Sequence, residues 1–229
     1  MSKLFMSTAK LNSLVSSLEN SLTGVVLLQY YYSPRIDGCR TTPLMPVLNL
    51  AERSYGYINP VQGNRDSPDP GVIYYNGAYY AATTEGWDGH YFPIWRSESG
   101  TNFTQVGWVM QAAPSWTKCC DYWAPEIHII DGKFTVYYTA SSAVTGRLSI
   151  GVTQSTNILG PYTDKGSPIM SNLTDGIIDP TVLTVNGTRY LVYKVNNRGR
   201  VEPSYLLAIQ LSATGLSVGG PTTMLLRSS

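Results

Sequence analysis

The sequence predicts an all-β fold: a β-propeller present in part, about three blades plus the start of a fourth, behind an N-terminal extension that is partly helical. Three observations predict it. The segments DPGVIYYNGAYYAATTE from Asp69, APEIHIIDGKFTVYYTA from Ala124 and DPTVLTVNGTRYLVYKV from Asp179 begin and end alike, 55 residues apart. Two landmarks keep that register without a gap: Pro70, Pro125 and Pro180 at the start, and Gly77, Gly132 and Gly187 at the turn. Each unit holds about four strand-like stretches, which is the pattern of a propeller blade, whereas solenoid repeats are shorter. A β-sandwich is the competing fold, but it gives no reason for two landmarks to recur at one spacing.

Residues 1–57 lack the blade pattern and form the extension; residues 58–229 form the partial propeller. Within the extension Leu11, Leu14, Val15, Leu18 and Leu22 fall at helical spacing, so one amphipathic helix is expected before a loop rich in Pro and Arg. In the first unit Ile73–Tyr75 leads through Asn76-Gly77 into Ala78–Thr84, and Ile94–Ser97 and Gln105–Met110 follow as further strands. The second runs Ile127–Ile130, Asp131-Gly132, Lys133–Ala140, then Leu148–Thr153 and a short piece near Tyr162. The third runs Val182–Val185, Asn186-Gly187, Thr188–Val195, and Tyr205–Leu211 is expected to open a further blade. Asn-Gly and Asp-Gly favour type I′ hairpins, where both central residues take positive φ. The returning strands carry Tyr, Phe and Val, which suit a pleated, half-buried surface.

Composition narrows the function. A net charge of +1 gives no basic face for nucleic acid. Charged residues make up only 14% while Tyr numbers 17 and Trp 5, a balance that suits sugar binding, since aromatic rings stack on the C–H faces of sugars. Tyr is also simply a good strand residue, which accounts for most of the seventeen. No apolar run approaches the roughly 20 residues of a membrane helix; Val25–Tyr32 is broken by Gln29, so no membrane partner is expected. The N-terminus is a poor signal peptide because Lys10 and several Ser interrupt its apolar stretch. Sequons at Asn102, Asn172 and Asn186 are compatible with a secreted glycoprotein. Cys119 and Cys120 are adjacent and expected beside the site, Cys39 is unassigned, and their spacing matches no zinc site. Neither a metal nor a cofactor is expected.

The innermost strands of a propeller line one channel, so equivalent positions converge on one axis. The slot before the landmark proline holds Asp69, Ala124 and Asp179. A lone Asp-Pro is ordinarily a turn; two at equivalent slots put a pair of carboxylates at one channel mouth. Glycoside hydrolysis needs such a pair, one carboxylate to activate water and one acid kept protonated for the leaving oxygen, about 6.5–9.5 Å apart in inverting enzymes. Asp66 rivals Asp69 for the base, and the repeat favours Asp69. Trp87, Trp123 and Trp116 are candidate sugar platforms with core packing as the alternative, and His90 is a candidate contact to substrate hydroxyls.

Asp69-Pro70 with its Tyr-rich hairpin, Tyr122-Trp123-Ala124-Pro125-Glu126-Ile127, Leu159-Gly160-Pro161-Tyr162 and Gly176-Ile177-Ile178-Asp179-Pro180 occur in that order. Together they resemble glycoside hydrolase family 43, five-bladed propellers that cleave arabinan, xylan and related arabinosyl or xylosyl linkages with inversion. The resemblance implies Asp69 as general base and Asp179 as the residue that orients the acid and raises its pKa. It implies an extracellular enzyme acting on plant cell-wall-type oligosaccharide or polysaccharide. Glu126 stands where the family often has Asp, aligns with Gly71 and Thr181 and not with the slot, and is read as a substrate or scaffold contact. The acid, a Glu of the fourth blade, is expected beyond Tyr205–Leu211, and Glu202 does not match it. Five such blades need about 275 residues, so little or no glycosidase activity is expected of this chain alone, with missing blades or self-association covering its open faces. A lectin-like propeller fragment is the alternative; a protein-interaction propeller leaves the paired Asp without a purpose.

Overall fold

Tight turns set the architecture seen in a computed structural model, which describes residues 67–84, 86–118, 120–195 and 203–228. The expected N-terminal helix, Cys39, Asp66, Cys119 and Glu202 lie outside the described residues. At the three hairpins Asn76 and Gly77 take φ of 47° and 80°, Asp131 and Gly132 52° and 70°, and Asn186 and Gly187 48° and 77°. Both central residues are left-handed each time, as a type I′ turn requires.

Blade one consists of β1 (Gly71–Tyr75), β2 (Ala78–Ala82), β3 (Gly86–Trp87), β4 (His90–Ser97) and β5 (Thr104–Met110). Strands β2 and β3 follow one another along one edge of β4, and β5 pairs with β4, so the blade is four ranks wide. Blade two repeats this with β6 (Trp123–Ile130), β7 (Lys133–Ser141) and β8 (Leu148–Ser155), its outer rank being two fragments, β9 (Thr163–Asp164) and β10 (Met170–Ser171). Blade three runs β11 (Ile177–Val185), β12 (Thr188–Val195), β13 (Tyr205–Leu211) and β14 (Val218–Arg227) in order.

The incomplete propeller agrees with expectation, but its last strands are allocated differently. Tyr205–Leu211, expected to open a fourth blade, is the third rank of blade three, pairing with β12 from Lys194↔Leu206 to Tyr190↔Gln210. It returns beside β12 as β8 does beside β7, and β14 then closes the blade. The described residues therefore make three whole blades.

The inner strands lie side by side, β1 against β6 and β6 against β11. One core cluster joins Ala82, Phe92 and Ile94 of blade one to Ile127, Val136 and Tyr138 of blade two. The other joins Ile130, Tyr137 and Val152 of blade two to Ile177, Leu191 and Ile209 of blade three. Consecutive Tyr137 and Tyr138 serve opposite clusters because successive strand residues face opposite ways. Covered on both sides, β7 is buried at every position after Lys133. Outer faces lack such cover: Val72 is 50% exposed where its equivalent Ile127 is 3%, and Val185 is 45% exposed where Ile130 is 1%. Blades one and two approach so closely that a Cβ on Gly71 would stand 2.1 Å from the Pro125 carbonyl oxygen.

Candidate active site

Ahead of each landmark proline the chain leaves its ladder. The β6/β7 register breaks between Trp123 and Glu126, and the β11/β12 register between Ile178 and Thr181. The residues skipped are Ala124-Pro125 and Asp179-Pro180. In blade one Asp69-Pro70 occupies the same place, between the Thr84 N–H to Pro68 O bond of 2.9 Å and the first ladder pair, Gly71↔Ala82. Proline has no N–H for a ladder, so a bulge forms there, and a bulge re-aims the side chain beside it. Asp69, Ala124 and Asp179 share a left-handed backbone with φ of 50°, 46° and 57°. Asp tolerates that conformation, whereas Ala is strained in it by about 1–2 kcal/mol.

Two equivalent threonines hold these bulges. Thr84 Oγ1 donates to Asp69 Oδ2 at 2.7 Å and accepts the Ala124 N–H at 2.8 Å. One blade on, Thr139 Oγ1 accepts the Asp179 N–H at 3.2 Å. Each seam between blades is thus latched at the slot, a contact no reading of local pattern supplied.

Asp69 and Asp179, from blades one and three, lie close enough to act on one another. The Asp179 carboxyl titrates above the usual carboxylate range, first because it is half-buried; the Asp69 charge adds to the rise and Lys194 opposes it. A like charge and partial desolvation both favour the proton-bound form. Other site residues take varied places. Trp87 meets Trp108 edge-on at 4.4 Å between centroids, and His90 stacks on Trp108 at 5.4 Å with Nδ1 3.0 Å from the Asp88 carbonyl oxygen. Because β2 ends beside Asp69 and continues into β3, this half-buried aromatic group stands at the Asp69 end of blade one. Trp108 was not singled out from sequence: it sits mid-strand in the outer rank, and only the β3–β4 hairpin brings Trp87 and His90 to it. Trp123 is half-buried and immediately precedes Ala124, at the same end of blade two. Trp116 is corrected: it is 7% exposed in the first core cluster, with its indole N–H on Asp164 Oδ1 at 3.1 Å, so it presents no platform.

Cys120 and Asp121, in the loop before β6, have φ of 78° and 63°, and Asp121 Oδ2 accepts from Ser141 Oγ at 2.7 Å. Asp121 is a carboxylate at this end that the sequence reading passed over, although it matches Asp66 in the repeat. Among the described residues no cluster of His, Cys, Asp and Glu is suited to a metal. No helix among them is long and apolar enough to cross a membrane.

Glu126 and His128 share with Ile130 the face of β6 turned to blade three. Glu126 Oε2 lies 4.0 Å from His128 Nε2. Burial raises the Glu126 carboxyl and lowers the His128 imidazole to about 4, which fits a scaffold role more closely than a substrate contact. A His depressed on folding contributes stability that is present above its ordinary pKa and lost as pH falls through the folded value. Between pH about 6.5 and about 4, wild type is expected to lose up to about 3 kcal/mol relative to His128→Phe. Glu126 has the opposite sign and is common to both proteins, so the difference between their denaturant midpoints across pH isolates His128; parallel curves would refute the assignment.

Comparison with known proteins supplies the family. The family model described as glycosyl hydrolases family 43 matches residues 57–229. An extracellular exo-alpha-(1->5)-L-arabinofuranosidase of Streptomyces avermitilis is 27% identical over 178 residues, covering 75% of this chain and 36% of the relative. A probable arabinan endo-1,5-alpha-L-arabinosidase A of Aspergillus flavus is 31% identical over 155 residues, covering 64% of this chain and 48% of its own length. Among solved structures, a thermostable family-43 glycoside hydrolase superposes with a TM-score of 0.67 at 24% identity, over 76% of this chain and 57% of that one. The chain thus spans between about a third and a half of these curated relatives. Bulged X-Pro slots on three successive blades, with Asp in the first and third, and a family match that runs from before the first blade to the last residue lead to one assignment: the chain belongs to glycosyl hydrolase family 43.

Proposed function

We propose that this chain is the substrate-facing part of an inverting glycoside hydrolase acting on arabinose- or xylose-containing plant cell-wall polysaccharides or oligosaccharides. The observation that carries the reading is the pair Asp69 and Asp179, raised on the same bulge of blades one and three and coupled through their charges. Asp69 is the base that takes a proton from water as it attacks the anomeric carbon. Asp179, half-buried across the channel from Asp69, orients the acid, and its carboxylate charge discourages the acid's ionisation. Trp87, His90 and Trp108 offer one sugar subsite and Trp123 another, since stacked rings and a half-exposed imidazole suit pyranose or furanose faces. The arabinofuranosidase and arabinanase names of the relatives favour arabinan over xylan, and the name of the Streptomyces relative favours secretion. Lectin-like binding without turnover is the second reading, since the aromatic group of Trp87, His90 and Trp108 would hold a sugar with no proton delivered.

The test is incubation of the chain with debranched arabinan and with xylan, products being resolved by anion-exchange chromatography and their anomeric configuration by proton NMR. Slow release of arabinose or arabino-oligosaccharides with inverted configuration is expected. Retained configuration refutes the mechanism, and binding of arabino-oligosaccharide by calorimetry without any release supports the lectin reading.

A further inference from the structure

We infer that Thr84 is a positioning residue for Asp69, one that ties the direction of the base to the packing of blade one on blade two. The inference rests on Asp69 being the base. Thr84 lies two residues beyond the end of β2, 6% exposed, with its hydroxyl in the seam between the blades. An amide N–H can only donate, so the Ala124 N–H at 2.8 Å takes an oxygen lone pair and leaves the hydroxyl proton for Asp69 Oδ2 at 2.7 Å. The chain of bonds therefore has one direction, from the blade-two backbone through Thr84 to the carboxylate. Among the described residues Asp69 Oδ1 makes no hydrogen bond, and it is the oxygen left to meet water.

The repeat shows that this role is particular to Thr84. Its equivalent Thr139 also accepts the next slot's N–H, from Asp179, but the slot of its own blade holds Ala124, which offers its proton no carboxylate. In blade three the place is taken by Lys194, whose charge acts on Asp179. Among the described blades only the first has both threonine and aspartate at these places, so that the latch reaches a reacting group. Left-handed Ala124 contributes as well, since its bulge is what turns the N–H toward Thr84.

The test uses the full chain and a dinitrophenyl arabinofuranoside, whose leaving group departs without a proton, so that the rate reads the base. Thr84→Val keeps the shape and deletes the hydroxyl; kcat is expected to fall about 10- to 100-fold, the cost of a misplaced reacting group, with KM little changed. Thr84→Ser restores the hydroxyl and recovers most of the loss. In parallel the carboxyl carbon resonance of Asp69, assigned with Asp69→Asn, should move in Thr84→Val and stay in Thr84→Ser. Unchanged kcat and an unmoved resonance in Thr84→Val overturn the inference, as does Thr84→Ser proving as impaired as Thr84→Val. If wild type turns over no activated glycoside, the catalytic reading fails on its own, and the Asp69 resonance still decides whether Thr84 positions that carboxylate. Should Thr84→Val fail to fold, Thr84→Ala is read by the same resonance.

Discussion

Asp69→Asn is expected to lower turnover of a dinitrophenyl arabinofuranoside by about 10²–10⁴-fold, the usual contribution of general acid–base catalysis. An amide cannot take the proton that attacking water must lose, yet Asn retains the size of Asp and an oxygen able to accept from Thr84 Oγ1, as Asp69 Oδ2 does at 2.7 Å. The left-handed backbone at φ 50° is likewise one Asn adopts readily. Loss of rate without loss of fold is therefore the specific signature. A variant with near wild-type kcat would transfer the role to another carboxylate, Asp121 being the next at that end of the channel. A variant that fails by unfolding would place Asp69 in the scaffold.

Asp164→Ala is expected to cost about 2–6 kcal/mol, because it strands two buried donors at about 1–3 kcal/mol each. Asp164 Oδ1 accepts the Trp116 indole N–H at 3.1 Å and the Gly166 N–H at 2.7 Å, while Oδ2 accepts the Tyr138 hydroxyl. Trp116 and Tyr138 are 7% and 0% exposed, so water does not replace the lost acceptor. One side chain on the outer rank of blade two thus fastens both the core strand β7 and the segment entering β6. For a domain of this size the loss corresponds to a fall of roughly 5–20 °C in Tm. Asp164→Asn keeps one acceptor and is expected to lose less than Asp164→Ala. A calorimetric Tm for Asp164→Ala within about 2 °C of wild type would show that the carboxylate is dispensable.

Much of the blade architecture was legible in the residues because its causes are local. Asn76-Gly77, Asp131-Gly132 and Asn186-Gly187 need left-handed backbone and take it. Prolines at 70, 125 and 180 deny the ladder a donor, and the bulges sit beside them. The third rank of blade three was harder to place. Tyr205–Leu211 has no landmark of its own, and its pairing with β12 depends on a return that local pattern does not specify.

For the candidate site, the residue types and their spacing named Asp69 and Asp179, and the tertiary structure added how they are held. Trp116 and Trp108 illustrate the limit. Trp108 lies within β5 and Trp116 in the loop that follows, and neither sequence context says which is covered; Trp116 is enclosed with a hydrogen bond to Asp164, and Trp108 is half-buried beside Trp87 and His90. Glu126 and His128 likewise look like an exposed polar pair on an alternating strand, until blade three covers them and shifts both toward their neutral forms.

By itself, then, the sequence determined the hairpins, the repeat and the slot that carries the two aspartates, since turn chemistry and alternation act over a few residues. Only the tertiary structure decided which faces are buried, which carboxylates feel one another and that Thr84 joins Asp69 to the backbone of the next blade. Those contacts bridge residues 40 positions apart in sequence, as Thr84 and Ala124 are, and they exist because neighbouring blades pack face to face. The repeat of 55 residues shows that such seams must recur; the hydroxyl and carboxylate that meet in the first of them are set by packing.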